Sequence, residues 1–356
     1  MKKKSLNAKK IILNNFNFKK YLKDKKIFKI YNSFEKNFES LNCSNKIALS
    51  VSGGPDSMTL CFLICCYKSV KNKKLRPFFY IVDHGLRKET AKEALLIKKE
   101  LKFKKINLNI LKWRGKKPKS NIQNLARQNR YNLLFKECNK HNIKNIFTAH
   151  HQDDVYETFF IRLIRGSGTE GLSSFSEIKK NFFYKGNKIT VVRPLLNFTK
   201  QDLVYVAQKV FNFYINDPSN KIDKFQRVML RKLIDNLKNQ GFDFRKLKLT
   251  INNLASTNRA INEVVKTNIS KNISLNNKRY LIGPNFFSYP EEIVFRSISK
   301  LIKKISKKDY PPRGKKIINL IRELKNKDQI KATLGGTIIE KIHNSVVVRE
   351  EKTKKS

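Results

Sequence analysis

Six residues, Ser52-Gly53-Gly54-Pro55-Asp56-Ser57, close an apolar run that ends at Val51 and open another from Met58 to Tyr67. A strand turning sharply into a helix gathers backbone N–H groups and the positive end of the helix dipole at one point, which suits a phosphate. Gly53 and Gly54 permit unusual backbone angles and a close approach by a ligand. Ser52 and Ser57 add hydroxyl donors. Asp56 can cap the helix or hold a Mg²⁺ that the phosphates share. The turn lacks the Lys-Ser/Thr ending of a Walker loop and the G-x-G-x-x-G spacing of a dinucleotide site. Glycine, proline, aspartate and serine also make ordinary strand-to-helix turns, so the chemistry needs support from elsewhere in the chain.

Three further clusters offer it. Asp83-His84-Gly85-Leu86-Arg87 puts an acid, an imidazole and a guanidinium on one tight turn, for nucleotide contact or for capping the next helix. His150-His151-Gln152-Asp153-Asp154 is rarer in composition, because the chain has only 5 histidines. Asp154, Glu157 and Ile161 fall at helical spacing, so both carboxylates share one side. Those carboxylates suit Mg²⁺, and either histidine suits proton transfer near neutral pH. The spacing does not place two histidines four apart on one helical face, as a zinc site would. Arg165-Gly166-Ser167-Gly168-Thr169-Glu170-Gly171 would make a phosphate-tolerant loop or a plain helix stop.

The elements that would position these clusters alternate. Strand-like runs at Ile47–Val51, Pro77–Val82, Ile106–Leu111, Asn145–Ala149 and Ile189–Val192 are separated by helical patterns at Met58–Val70, Glu89–Leu101, Asn121–Cys138, Asp153–Ile164 and Lys200–Phe211. This order predicts βαβ units and an α/β fold with a doubly wound parallel sheet. Ligands of such sheets sit beyond the carboxyl ends of the strands, and the polar clusters follow the first, second and fourth strands. Residues 1–28 read as a basic arm, with a lead-in helix from Phe28 to Leu41. Residues 29–240 read as the sheet domain, ending in the helix that carries Arg227 and Arg231. Residues 241–356 read as a smaller, mostly helical domain with a terminal strand pair at Ile330–Glu340 and Val346–Arg349.

Composition narrows the partners. The 77 lysines and arginines stand against 28 acids, a formal net charge of +49. That field attracts polyanions, nucleic acid above all. The five cysteines form no C-x-x-C pair, and three fall in the apolar segment after the glycine turn. That placement suits a reducing compartment and argues against a disulfide framework or a metal cluster. The longest apolar run, Met58–Tyr67, is too short to span a membrane. The reading is a soluble, cytoplasmic protein.

The glycine turn resembles the pyrophosphate-binding loop of the N-type ATP pyrophosphatases. The whole series resembles the tRNA(Ile)-lysidine synthetase family within that PP-loop superfamily. It comprises the turn at 52–57, Val82-Asp83-His84-Gly85-Leu86-Arg87, His150 to Asp154 with Glu157-Thr158, and Arg165-Gly166-Ser167-Gly168. It continues with Arg193-Pro194-Leu195-Leu196, Asp217-Pro218-Ser219-Asn220 and, near the end, Thr333-Leu334-Gly335-Gly336. Two positions depart from the family pattern: Val155 replaces a glutamine and Val228 an asparagine. Many relatives also continue into a further domain.

The resemblance implies a Rossmann-like PP-loop catalytic domain and a smaller tRNA-contacting domain. It implies ligation of L-lysine to C2 of the wobble cytidine in the CAU anticodon of isoleucine tRNA, with ATP cleaved to AMP and pyrophosphate through an adenylated cytidine. Ser52, Gly53, Gly54, Pro55, Asp56 and Ser57 would bind ATP, with Asp83 and His84 beside them. Asp56 and Asp154 would hold Mg²⁺. Asp56, His150, His151, Asp153 and Asp154 form the catalytic set, with the acceptor of the amine proton left open between a histidine and a carboxylate. Arg87, Arg165, Arg227 and Arg231 would contact tRNA. The resemblance also allows a homodimer. Two other readings stand beside this one: another PP-loop tRNA-modifying enzyme, and a non-catalytic basic RNA-binding protein.

Overall fold

A computed structural model describes residues 17–87, 89–115, 122–215, 226–308 and 311–351. Asp217-Pro218-Ser219-Asn220 and the Arg227 side chain lie outside the described part. Helical structure begins earlier than the apolar periodicity suggests. Asn17 caps a 3-10 turn at Phe18–Lys23, and Asp24 caps α1 (Lys25–Glu39), accepting the Lys26 and Ile27 N–H groups at 2.9 and 3.0 Å. Phe18 is buried with its ring centroid 6.0 Å from that of Phe62. Local side-chain capping thus folds residues 17–28, which the sequence reading assigns to an arm.

A six-stranded sheet follows. Its strands are β1 (Lys46–Val51), β2 (Arg76–Asp83), β3 (Leu108–Lys112), β4 (Asn145–Phe147), β5 (Lys179–Tyr184) and β6 (Asn187–Val192), in the order β3-β2-β1-β4-β6-β5. All pairings are parallel except the β5–β6 hairpin. The intervening helices are α2 (Pro55–Val70), α3 (Thr90–Phe103), α4 (Ile122–Lys140), α5 (Gln152–Ile164), α6 (Thr169–Ser173) and α7 (Lys200–Phe211). β5 escapes a sequence reading because Lys179-Lys180-Asn181 looks like a loop. As an edge strand it buries little, and Phe183 remains 76% exposed.

Period-2 alternation covers both faces of the sheet. Ile47, Leu49 and Val51 of β1, Phe79 and Ile81 of β2 and Phe147 of β4 join one core with α1, α2, α3 and α7. Ala48, Tyr80, Ile146, Ile189 and Val191 join a second core with α4. α2 is apolar all round because it packs between the sheet, α1 and α7. Its Thr59 hydroxyl donates to Leu203 O of α7 at 2.6 Å in a fully buried seam.

After β6 the chain forms α8 (Gln226–Asn239) and α9 (Phe244–Asn272). The division into two units falls inside α9, after Ile251. The second unit holds more sheet than the sequence reading anticipates. Its five strands, β7 (Ile273–Asn276), β8 (Arg279–Ile282), β9 (Gln329–Leu334), β10 (Thr337–Ile342) and β11 (Ser345–Glu350), pair antiparallel in the order β7-β8-β11-β10-β9. The 330–340 run, with Leu334-Gly335-Gly336 read from sequence as a turn or bulge, is two strands joined at Gly335-Gly336, both at positive φ. α10 (Glu291–Ser306) and α11 (Gly314–Asn326) cover this sheet with Val294, Ile298, Ile302, Ile317 and Leu320.

The α2–α7 seam fixes where each helix begins, so it can be tested alone. Thr59→Val removes one donor from the Leu203 carbonyl, which keeps its helical partner within α7, and is expected to cost about 0.5–1.5 kcal/mol. Urea unfolding should show a lower midpoint with an unchanged slope; an unchanged midpoint would mean that the hydroxyl contributes nothing.

Candidate active site

β1 and β4 are neighbours, yet β1 is followed by strands on one side of it and β4 lies on the other. Their carboxyl ends therefore flank the switch point of the sheet, where loops diverge and leave a crevice. A cavity of about 790 Å³ opens there. The 52–57 turn supplies one wall and the start of α5 another. α4 and α8 supply the rest, through Arg127, Arg130 and Tyr131 and through Arg231, Asp235 and Lys238.

The turn is held in shape by its own serines. The Ser52 N–H donates to Ser57 Oγ at 3.1 Å, and the Ser57 hydroxyl donates to Gly54 O at 3.0 Å. Ser57 therefore braces the loop from within. Gly53 has φ +81°, and an added Cβ would come within 2.1 Å of Ile97 Cδ1. Its carbonyl accepts the Ile215 N–H at 2.9 Å. Gly54 is the N-cap of α2 and Pro55 its first residue, where the missing N–H costs nothing.

His151 joins the two walls. It caps α5: its Nδ1 accepts the Asp153 N–H at 3.3 Å while its own N–H donates to Asp154 Oδ2 at 2.9 Å. An accepting Nδ1 leaves the proton of the neutral ring on Nε2. That nitrogen lies 3.8 Å from Asp56 Oδ2 and 3.7 Å from Asp154 Oδ2. One imidazole N–H thus faces a carboxylate from each wall. Burial raises the Asp154 pKa, an effect that His151 partly offsets.

His150 is in a different position. It is edge-on to Phe175, with Nδ1 2.9 Å from the Thr148 hydroxyl. Burial first, then Arg193, Arg127 and Arg130, push its pKa down to about 3. Arg193 belongs to the quoted Arg193-Pro194-Leu195-Leu196 stretch, whereas Arg127 and Arg130 were not singled out from sequence. Arg130 Nε and Arg193 Nε are buried without hydrogen-bond partners. The Arg193 guanidinium lies over the Phe175 ring at 4.5 Å. Among the described residues no carboxylate pairs with Arg130, and burial lowers its pKa, so this end of the cavity suits an anion.

The opposite wall is acidic. Arg231 grips Glu157 through Nε at 2.6 Å, and Lys238 lies 3.7 Å from Asp153 Oδ1; Asp235 is nearby in the lining. Lys200, also missed from sequence, starts α7 after the Thr199 cap and bonds both Asp56 oxygens at 2.7 Å.

Of the expected residues, Ser52, Gly54, Pro55, Asp56, Ser57, His150, His151, Asp153, Asp154 and Arg231 line the cavity. Gly53 stands directly behind them. Asp83, His84, Arg87 and Arg165 stand outside the lining. Asp83 accepts the Gly85 N–H and the Thr90 hydroxyl at 3.0 and 2.9 Å, Arg87 pairs with Glu93 at 3.3 Å, and Arg165 is the exposed end of α5. His84 is edge-on to Trp113.

Oxygen ligands fit a hard divalent ion. Asp56 and Asp154 both reach one nitrogen, and Mg²⁺ commonly takes one or two carboxylates with phosphates and water completing its shell. Among the described residues no group of three His, Cys, Asp or Glu side chains forms a metal site by itself. Cys61, Cys65, Cys66 and Cys138 are buried, and burial raises the pKa of each thiol.

The PP-loop domain family matches residues 24–237. A tRNA(Ile)-lysidine synthase of Wolbachia pipientis wMel is 35% identical over 314 residues, covering 86% of this chain and 71% of the relative. The chain belongs to the tRNA(Ile)-lysidine synthase family. A second member, from Wolbachia sp. subsp. Brugia malayi, is 33% identical over 87% of this chain and 72% of its own length. Among solved structures, the U34-tRNA thiolase of Methanococcus maripaludis with its [4Fe-4S] cluster aligns with a TM-score of 0.53 at 16% identity. It covers 66% of this chain and 80% of its own. That likeness establishes the PP-loop fold alone. Among the described residues, no helix is long and apolar enough to cross a membrane.

Two outcomes test the site itself. Gly53→Ala should abolish nucleotide binding while the far-UV circular dichroism stays native, because the positive φ and Ile97 leave no room for a methyl group; binding within twofold of wild type would overturn this. His150 should stay neutral well below its ordinary pKa of 6.5. The unfolded chain then takes up a proton before the folded one, so this residue's contribution to stability is full above pH 6.5 and declines as the pH falls toward about 3. A ¹⁵N NMR titration giving His150 a midpoint near 6.5 would contradict its burial among arginines.

Proposed function

We propose that this member of the tRNA(Ile)-lysidine synthase family is an ATP-dependent ligase that joins the ε-amine of L-lysine to C2 of the wobble cytidine in the CAU anticodon of isoleucine tRNA. The product, lysidine, changes codon reading from AUG to AUA, and ATP is cleaved to AMP and pyrophosphate. The observation that carries the site assignment is His151, whose Nε2 faces Asp56 of the glycine turn at 3.8 Å and Asp154 of α5 at 3.7 Å. Three regions of one cavity then match three reactant chemistries: phosphate donors at the turn, guanidinium groups by His150, and carboxylates on α5 and α8 for an ammonium group.

The chemistry needs two steps. The cytidine O2 attacks the α-phosphorus of ATP and pyrophosphate leaves, which turns a poor leaving group into AMP. The lysine amine then attacks C2 and AMP departs. In the first step the 52–57 turn and the first turn of α2 stabilise the departing pyrophosphate. Asp56 and Asp154 would hold Mg²⁺, which when bound neutralises phosphate charge. Arg130 and Arg127 face the remaining phosphoryl oxygens.

In the second step Asp153 and Glu157 receive the ammonium group, whose pKa of about 10.4 in water requires an acceptor for its proton. His151 is engaged as the cap of α5, its Nδ1 accepting the Asp153 N–H. His150 is held too weakly basic by burial and, after it, by its arginines. Asp154, whose acid form is favoured by burial, is the acceptor we assign. The cytosine has to leave its stack to enter the cavity. The general positive charge supplies backbone affinity for tRNA.

Labelled lysine, ATP and unmodified isoleucine tRNA should give label in the RNA; no incorporation would remove the assignment and leave a PP-loop RNA binder or another tRNA-modifying enzyme. Asp154→Asn should abolish lysine-dependent pyrophosphate release, a loss of at least a hundredfold, and turnover near wild type would remove both roles given to Asp154. Binding of tRNA should weaken steeply with salt, and a flat plot of log K against log salt would eliminate the electrostatic contribution.

A further inference from the structure

Asp56 does not wait for a metal with its carboxylate open. Lys200 Nζ is 2.7 Å from Oδ1 and 2.7 Å from Oδ2, so a single ammonium straddles both oxygens, as a chelated cation would. The two residues are held face to face by the packing beneath them. Asp56 is in the first turn of α2 and Lys200 in the first turn of α7, and the Thr59–Leu203 bond locks those helices together one turn below. The Lys200 side chain is 41% exposed, so its end can move without unpacking anything.

We propose that Lys200 is an exchangeable counter-ion: it neutralises Asp56 when the nucleotide is away and passes to the β,γ-phosphates when ATP and its divalent ion arrive together. The inference rests on the ATP and Mg²⁺ reading above. Both partners are partly exposed and screened by water, so a triphosphate beside the pair outcompetes one carboxylate for the ammonium. A divalent ion alone brings no anion for Lys200 to move to, and binding it means displacing the ammonium toward water. The exchange therefore makes the site discriminate against a free metal ion and favour the metal–nucleotide complex. His151 faces Asp56 from the other side, with Nε2 3.8 Å from Oδ2.

Two measurements on the full chain, without RNA or lysine, test this. In a Mn²⁺ titration followed by electron paramagnetic resonance with no nucleotide present, Lys200→Met should bind the ion at least tenfold more tightly than wild type. In calorimetry with inorganic pyrophosphate and a chelator, the same variant should bind pyrophosphate at least tenfold more weakly. Lys200→Gln should repeat both results should the methionine variant fold poorly, whereas Lys200→Arg, which keeps the charge, should keep the low Mn²⁺ affinity. Mn²⁺ affinity in the neutral variants equal to or below wild type, or an unchanged pyrophosphate affinity, would overturn the proposal. Neither readout involves lysine transfer, so this failure and that of the ligase reading are separable.

Discussion

The pairing of β1 with β4 is the constraint on which the site depends. Three residue pairs, Ile47 with Asn145, Ala48 with Ile146 and Leu49 with Phe147, fix the register of two strands nearly a hundred residues apart. A shift of one residue would reverse which core each side chain enters. It would also move His151 relative to Asp56, and a hydrogen-bonding group loses its partner within an ångström or so of displacement. The apolar alternation that builds the two cores is thus also what sets the geometry of the polar residues at the strand ends. The chemistry-bearing turns need little rigidity of their own because the sheet beneath them is buried on both faces.

Electrostatics inside the cavity runs against the protein as a whole. The chain is strongly basic, yet Asp56, Asp153, Asp154, Glu157 and Asp235 share one crevice. Basic residues meet them in ordered pairs: Lys200 on Asp56, Lys238 near Asp153, Arg231 on Glu157. Arg130 and Arg193, by contrast, bury their Nε atoms without hydrogen-bond partners beside a histidine that burial first, and the guanidinium charges second, keep neutral. An acidic wall and a guanidinium wall a few residues apart form a site in which an ammonium group and a phosphate can lie side by side, each opposite its own counter-charge.

Much of this was legible in sequence, for reasons that can be named. The strands on both sides of the switch point are near-continuous apolar runs, and the Gly-Gly-Pro and His-His-x-Asp-Asp turns have residue types that few other roles require. Lys200 was not legible, because a lysine at the start of a helix is ordinary and its partner lies 144 positions away. Arg130 was not, because its neighbours His84 and His150 follow two different strands and leave no periodic trace. The edge strand β5 and the pair β7–β8 escaped for a common reason: short, largely exposed strands carry too weak an alternation to separate them from loops. The early helical start was hidden in two single capping residues, Asn17 and Asp24.

The helix that begins at the phosphate turn also carries Cys61, Cys65 and Cys66, and burial holds their thiols in the protonated form, Cys65 at about 12. Cys138, behind the arginine wall on α4, is pushed to about 12 in the same way. Activated cytidine is an electrophile, and sulfur anions outrun amines toward such carbons. With these sulfurs un-ionised and absent from the cavity lining, the polar groups that the crevice presents to whatever binds there are oxygen and nitrogen alone.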